Sequence, residues 1–540
     1  MANRGIILNQ DSDNFLFTRA DCLELINEQY IKNFIYQYKD TNVTDFMMCV
    51  NVHISAFPSK VKTFYGDKYL RKEEQGIPVD YTRTCCKTAY HIWYEKQLDL
   101  FQLWIEACRE SKITPWLSFR MNDAHCHFET PHYLISDFFY EHIDEYARGR
   151  HEIPYGGRRG YYDRCRDYEI EEVRAEMLAY IEEALERYDV DGIELDFQRE
   201  LWCFQPGHEQ NNLDLMTELV QKIKDIVRAA ELRYGHRIKI AVRCHPNPAY
   251  SVEFGFDILE WAKQRLIDLV VPSPRWATSD NDMPIRLWKQ MMEPYGVEVA
   301  GCVELLARSY PGSKLAYNTT ESAIGSAVNI LSQGADKLYL FNYFDQSGEM
   351  MEGERRKVTR ENDVRKAEGY FKLLTTAGDL EKAADTTRKH IVTYNDIVPL
   401  SRKFASILPI EVTANGPHFI RIVTGSTGKE SRILLRLGIE WKGMPAMTDT
   451  GDGEKGQKED RAANVSKDFD PQKDITVYIN SCKIEFLEKQ TCGNPVLTES
   501  PVYVFEIPQK AAGSLVQMAE IYGNTNFTVN YADIMVIKKG

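Results

Sequence analysis

The segment TPWLSFRMNDAHCH, residues 114 to 127, ends an apolar, strand-like run in Arg120, Asn122, Asp123, His125 and His127. These side chains grip anions and move protons, and their crowding at one strand end suits contact with a substrate at the mouth of a parallel barrel. A carboxylate beside His125 favours the protonated imidazole, which suits a general acid. The His-x-His spacing of His125 and His127 also admits a metal site or a solvated loop. Barrel metallohydrolases carry such a pair on the first strand, where this chain has NQDSD, so no metal is expected. In DGIELDFQRE, residues 191 to 200, Glu194, Asp196 and Gln198 share one face of a strand. Carboxylates turned into a barrel are costly unless used or paired. Two uses stay open for Glu194 and Asp196: a glycosidase acid/base pair or hydroxyl clamp, and the holding of neighbouring arginines. Arg120, Arg199, Arg243 and Arg275 fall at or just past successive strand ends, which in an acidic chain suggests a pocket for a carboxylate or phosphate. Asp11 and Asp13 follow the first strand, with Asp11 better placed to reach the mouth, and either suits a turn or helix cap. His245, Glu304 and Asn342 complete the ring. Trp202, Trp276, Tyr343 and Phe344 suit stacking on a sugar face or packing in the core.

The elements that position these residues read as a repeated strand and helix. Apolar runs at 5–9, 45–52, 115–120, 190–197, 238–243, 267–272, 298–304 and 337–342 predict eight parallel strands. Helical spacing of apolar residues over 169–188, 209–234, 320–333 and 358–375 supplies amphipathic crossovers. Eight such units predict an α/β fold, a (β/α)8 TIM barrel over 1–380, with long loops after the second and third strands, 55–90 and 123–167, building the substrate site. After a charged crossover at 376–390 the pattern shortens to alternating runs such as 419–423, 432–437, 476–479, 502–507 and 527–531. These predict a C-terminal antiparallel β-sandwich over 390–540, interrupted by a polar loop at 448–474.

Composition narrows the function classes. The 540 residues exceed one ordinary domain, and 43% hydrophobic with 27% charged content is that of a globular chain. No window approaches the roughly 18 continuous apolar residues of a membrane span. A net charge of −14 argues against nucleic acid and anionic membranes as partners but leaves a small anionic ligand open. The twelve cysteines are scattered in apolar runs, as buried free thiols are. Cys85 and Cys86 lack a second pair at zinc spacing, and Cys482 and Cys492 are the one pair with scope to bond. The first residues run directly into a strand pattern without a secretory leader, and a cytoplasmic location is expected.

The segments NQD after the first strand, RMNDAH after the third, DGIELDFQR on the fourth and FN after the eighth resemble glycoside hydrolase family 156, inverting exo-sialidases with a barrel and a C-terminal β-sandwich. The resemblance implies His125 as Brønsted acid and Asp11 as base, with Asp13 two residues away as the other candidate. It implies Arg120, Arg199 and Asn342 as holders of sialic acid. Asn122, Asp123, Glu194, Asp196, Arg243 and His245 are the further substrate-binding candidates of the strand-end reading. No cofactor is expected. The expected partner is a sialylated glycan or other anionic sugar, with a homodimer left open. The alternatives are a glycosidase for neutral or uronic sugars working through Glu194 or Asp196, and a non-catalytic carbohydrate-binding protein.

Overall fold

The computed structural model describes residues 4–74, 81–125, 134–149, 162–275, 277–344, 357, 360–399, 402, 405–414, 416–428, 430–440, 470–490, 500–513 and 515–538. His127, Trp276, Cys492 and most of the polar loop at 448–474 lie outside them.

The barrel strands are β1 (Ile6–Asp11), β2 (Val43–Cys49), β3 (Thr114–Arg120), β4 (Gly192–Asp196), β5 (Lys239–Cys244), β6 (Leu269–Pro272) and β7 (Glu298–Glu304). A two-stranded antiparallel hairpin, β8 (Leu306–Ala307) with β9 (Ala316–Tyr317), follows before β10 (Lys337–Phe341). β10 pairs in parallel with both β7 and β1, so the sheet closes in the order β1-β10-β7-β6-β5-β4-β3-β2. The expected eight-stranded parallel barrel is therefore present.

Strand alternation sorts the side chains into two cores. Outward residues such as Ile193, Leu195 and Phe197 join the layer between barrel and helices. Inward residues Ile7, Met47, Trp116, Ala241, Leu269, Val271, Ala300, Cys302, Tyr339 and Phe341 form a separate cluster inside the barrel. By the same alternation the next inward positions are Asn9, Ser118 and Glu194, and above them Asp11, Cys49, Arg120, Asp196, Arg243 and Glu304. The interior thus changes from apolar to polar on approaching the C-terminal mouth.

The second domain comprises β11 (Arg388–Ile391), β12 (Ile410–Val412), β13 (His418–Val423), β14 (Ser431–Glu440), β15 (Ile475–Ile479), β16 (Cys482–Gln490), β17 (Val502–Ile507), β18 (Val516–Gly523) and β19 (Phe527–Lys538). Their order is β11-β19-β14-β17-β16-β15-β18-β13, with β12 also on β19, and all pairings are antiparallel. The expected sandwich is realised as one sheet folded over its own face. β16 belongs to both halves, and residues of β13, β15 and β18 share a core with those of β14, β17 and β19.

The two domains are packed together along the barrel's flank. The helix Thr320–Ser332, capped by the Thr319 side chain accepting from the Ser322 N–H, is buried on nearly every face. That is unusual for a barrel helix and arises because β11 covers its outer side. At Gly325 a Cβ would collide with the Lys389 carbonyl, so glycine is what permits the approach. Among the described residues no helix is long and apolar enough to cross a membrane, and ten cysteines are free thiols, Cys482 among them.

Candidate active site

The uppermost inward residues of β1 and β3 meet in a chain of charges. Asp11 Oδ2 lies 2.6 Å from Arg120 Nη2, and Arg120 Nη1 donates to Asp123 Oδ2 at 3.0 Å. Asp123 Oδ1 then accepts from the His125 backbone N–H at 2.8 Å and lies 2.6 Å from ring Nδ1. The far nitrogen of the ring, Nε2, lies against Arg199 Nη2. Exposure grades along this chain: the side chains of Arg120 and Asp123 are 3% and 2% accessible, Asp11 12% and His125 31%. The outer members therefore face the mouth while the inner ones hold them in place.

Electrostatics follows from that burial. Removal from water opposes the charge on Asp123, but His125 and Arg120 outweigh it and hold the carboxyl well below its usual range. Burial likewise opposes the charge on Arg120, and the carboxylates of Asp11 and Asp123 more than restore it. A fixed anion at Asp123, in contact with both the backbone N–H and ring Nδ1 of His125, orients the imidazole.

The rim arginines divide by partner. Arg243 donates from Nε and Nη2 to both oxygens of Asp196, each at 2.9 Å, and lies 3.9 Å from the centre of the Phe341 ring. Arg275 is bound to Glu200 at 2.8 and 3.3 Å. Arg120 has Asp11 and Asp123. Arg199 alone among these four has no carboxylate on its guanidinium among the described residues. Its backbone N–H donates to Asp196 Oδ1 at 3.0 Å, and its Nε has no partner.

Glu194 sits one layer below, fully buried. Oε2 accepts from Ser118 at 2.5 Å and Asn9 at 3.2 Å, and Oε1 accepts from Tyr339 at 2.7 Å. Burial, then the neighbouring Asp196, pushes its carboxyl up to about 7. Of the two uses open for the β4 carboxylates, Asp196 has the second: it holds Arg243 and the Arg199 backbone. Glu194 is enclosed by its own hydrogen bonds.

Several sequence candidates occupy other roles. The Asn122 amide donates to the carbonyls of Arg166 and Trp202 and its oxygen accepts from Asp123 and Arg166 N–H, so it ties loops together and has no group left for a substrate. His245 is spent likewise. Its Nδ1 accepts from the Asn247 N–H at 2.9 Å, its Nε2 meets the Ile397 carbonyl at 2.9 Å, and burial lowers it to about 4, which keeps it neutral. Asp13 lies in the first turn of the helix Ser12–Thr18, whereas Asp11 ends β1 with Oδ1 buried and unpartnered. Asn342 follows β10 with a left-handed backbone, φ 57°, which Asn tolerates, and its Oδ1 has no partner. Trp202 and Tyr343 are buried, Trp202 against Tyr162 and Phe254, and belong to the core. Gln198, both of whose amide atoms are buried without a partner, and Glu304, with one such oxygen, carry unused capacity at the same level. Burial pushes the Glu304 carboxyl well up. Among the described residues no group of three or more His, Cys, Asp or Glu side chains is placed to hold a metal.

No protein-family model matches the chain, and no curated protein matches it. Similar solved structures include a glycoside hydrolase family 18 N-acetylglucosaminidase from Paenibacillus barengoltzii, at 10% identity and TM-score 0.33, covering 66% of this chain and 99% of that one. Alpha-L-fucosidase isoenzyme 1 from Paenibacillus thiaminolyticus is 13% identical with TM-score 0.34, covering 97% of both chains. A family GH138 enzyme targeting pectin rhamnogalacturonan II is 12% identical with TM-score 0.38, covering 69% and 38%. At this level of similarity no residue role is carried across from any of them.

Proposed function

We propose that the protein is a glycoside hydrolase acting on a sugar that bears a carboxylate, and specifically an inverting exo-sialidase with His125 as acid and Asp11 as base. The observation that carries this reading is the arrangement at the mouth. A histidine backed by a buried aspartate shares one rim with a partly exposed aspartate and with Arg199, whose guanidinium has no carboxylate among the described residues.

The chemistry begins with Arg199. In the free site its Nη2 donates toward His125 Nε2, which makes that nitrogen an acceptor. An entering sugar carboxylate draws the guanidinium into a charge-assisted pair, and Nε2 is released to take a proton, with Asp123 stabilising the resulting imidazolium. That proton passes to the glycosidic oxygen as the anomeric C–O bond breaks, and the leaving group departs as an alcohol. Water attacks the opposite face while an Asp11 oxygen accepts its proton, so one displacement inverts the anomeric centre. Asn342 and Arg120 support the bound sugar and the base. A glycosidase working through Glu194 is disfavoured by the enclosure of that carboxyl beneath the rim.

The test is proton NMR of the protein with α2,3- and α2,6-sialyllactose. Early appearance of the β-anomer of sialic acid is expected, and His125→Ala is expected to lower kcat by about 10²- to 10⁴-fold. First release of the α-anomer would overturn inversion, and no release from either substrate would overturn the sialidase reading.

A further inference from the structure

The chain does not leave the barrel after β11. Asn281, in the loop beyond β6, donates from its side chain to the Ile391 carbonyl at 2.9 Å, and its N–H donates to Thr393 Oγ1 at 2.9 Å. Ile397 then supplies the carbonyl that meets His245 past the end of β5. Between these contacts lies Asp396, 2% exposed. Its Oδ1 accepts the Arg275 N–H at 2.8 Å and its Oδ2 the Ala277 N–H at 2.7 Å. One carboxylate thus fixes the backbone of the β6 loop at two points.

What that loop holds is part of the rim. The Arg275 guanidinium engages both oxygens of Glu200 and lies 5.2 Å from the centre of the Tyr162 ring. Glu200 is fully buried and adjoins Arg199 in the chain. A displacement of the β6 loop would pull on Arg275, loosen Glu200 and change the reach of the neighbouring guanidinium that faces His125. Charge supports the same assignment. Burial, then Asp396, pushes Asp280 up to about 7, and Asp396 is among the groups that raise Glu304. Asp396 is the member of this group that takes a backbone N–H on each of its two oxygens, whereas Asp280 and Glu304 each take one, from Asp282 and Leu305.

We propose that Asp396 is a positioning residue of the active site, supplied by the segment between the first two strands of the second domain, β11 and β12, and that it sets the substrate grip of Arg199 through the Arg275–Glu200 pair. The domain thereby completes the site as well as packing against it. The proposal rests on the reading of the rim given above, but half of its test needs no substrate.

The variant is Asp396→Asn in the full chain, which keeps one acceptor and sets an NH2 group against the second N–H. Hydrogen exchange over residues 270–280 is expected to quicken by about tenfold at the 275 and 277 amides, the scale of one lost hydrogen bond, with the rest of the barrel unchanged. On a sialoside, KM is expected to rise about tenfold while kcat stays within about threefold, the signature of weakened ground-state and transition-state binding alike. Should the Asn variant fail to fold, Asp396→Ser keeps one acceptor in a smaller volume and takes the same measurements. Unchanged exchange at 275 and 277 overturns the proposal whatever the substrate is. A fall in kcat at constant KM, or loss of protection throughout the second domain, would mean a merely structural role and also overturns it. A wild-type protein inactive on sialosides defeats the sialidase reading and leaves the exchange result to decide whether Asp396 holds the loop.

Discussion

Arg199 and Glu194 are close in sequence yet stand in opposite electrostatic situations, and each yields a measurable consequence. Arg199 meets His125 and no carboxylate among the described residues, so it has charge to offer a ligand. Arg199→Ala is expected to raise KM for an anionic substrate by about 10- to 100-fold, as loss of a charged hydrogen bond worth roughly 1.5–3 kcal/mol would, and steady-state kinetics checks it. Glu194 is a buried acid whose carboxyl is raised from 4.5 to about 7. The folded state therefore binds its proton more tightly than the unfolded chain does. That stabilisation is complete below about pH 4.5 and is lost as the pH rises through about 7. Glu194→Gln is expected to flatten this dependence, the variant gaining up to about 3 kcal/mol of stability on the wild type between about pH 5 and 8, read as a relative rise of its melting temperature. A parallel pair of melting curves across that range would refute the assignment. Residues at this scale were unevenly legible. Asp11, Arg120, Asp123 and His125 stand out because their polar types interrupt apolar strands. Asn122 and His245 looked alike in sequence but serve backbone groups, a distinction set by loops from elsewhere in the chain.

At the scale of elements, the barrel strands were readable to within a few residues, β3 expected at 115–120 and found at Thr114–Arg120. Strands of a parallel sheet buried on both faces are nearly continuous apolar runs, the plainest pattern a sequence carries. The hairpin β8–β9 was not readable, since two residues per strand leave no period to detect. In the second domain β16 and β18 were hidden because charged positions such as Glu485, Lys489 and Glu520 dilute the alternation. Packing between strands adds a constraint that no single element shows. Gly192, at the start of β4, lies where a Cβ would enter the Trp116 indole on β3. Gly192→Ala is expected to destabilise the fold by about 1–3 kcal/mol, the cost of overpacking a filled interior, and denaturant unfolding measures it.

For the whole molecule, the attachment of the second domain along the barrel is the property that sequence could not disclose. Asp396 and Arg275 are 121 positions apart, and neither segment carries a pattern that names the other. The helix Thr320–Ser332 shares one face with the barrel and one with β11, so the domains are expected to melt in a single cooperative transition. Gly325→Ala, which forces a methyl group toward the Lys389 carbonyl, is expected to lower that midpoint or to split it in two, as calorimetry would register. An unchanged melting profile would show that the flank contact is not tight.

The sheet of the second domain pairs its first strand with its last: β11 lies against β19, which also carries β12 and β14. A ribosome delivers these partners far apart in time. The barrel can close once β10 has emerged, but β11 has no strand to join until Phe527–Lys538 follows. At synthesis rates of about 5–20 residues per second, that interval is on the order of ten seconds or more. During it β11 stands beside the barrel without its partner strand, so the growing chain passes through a stage in which a closed barrel precedes a finished flank.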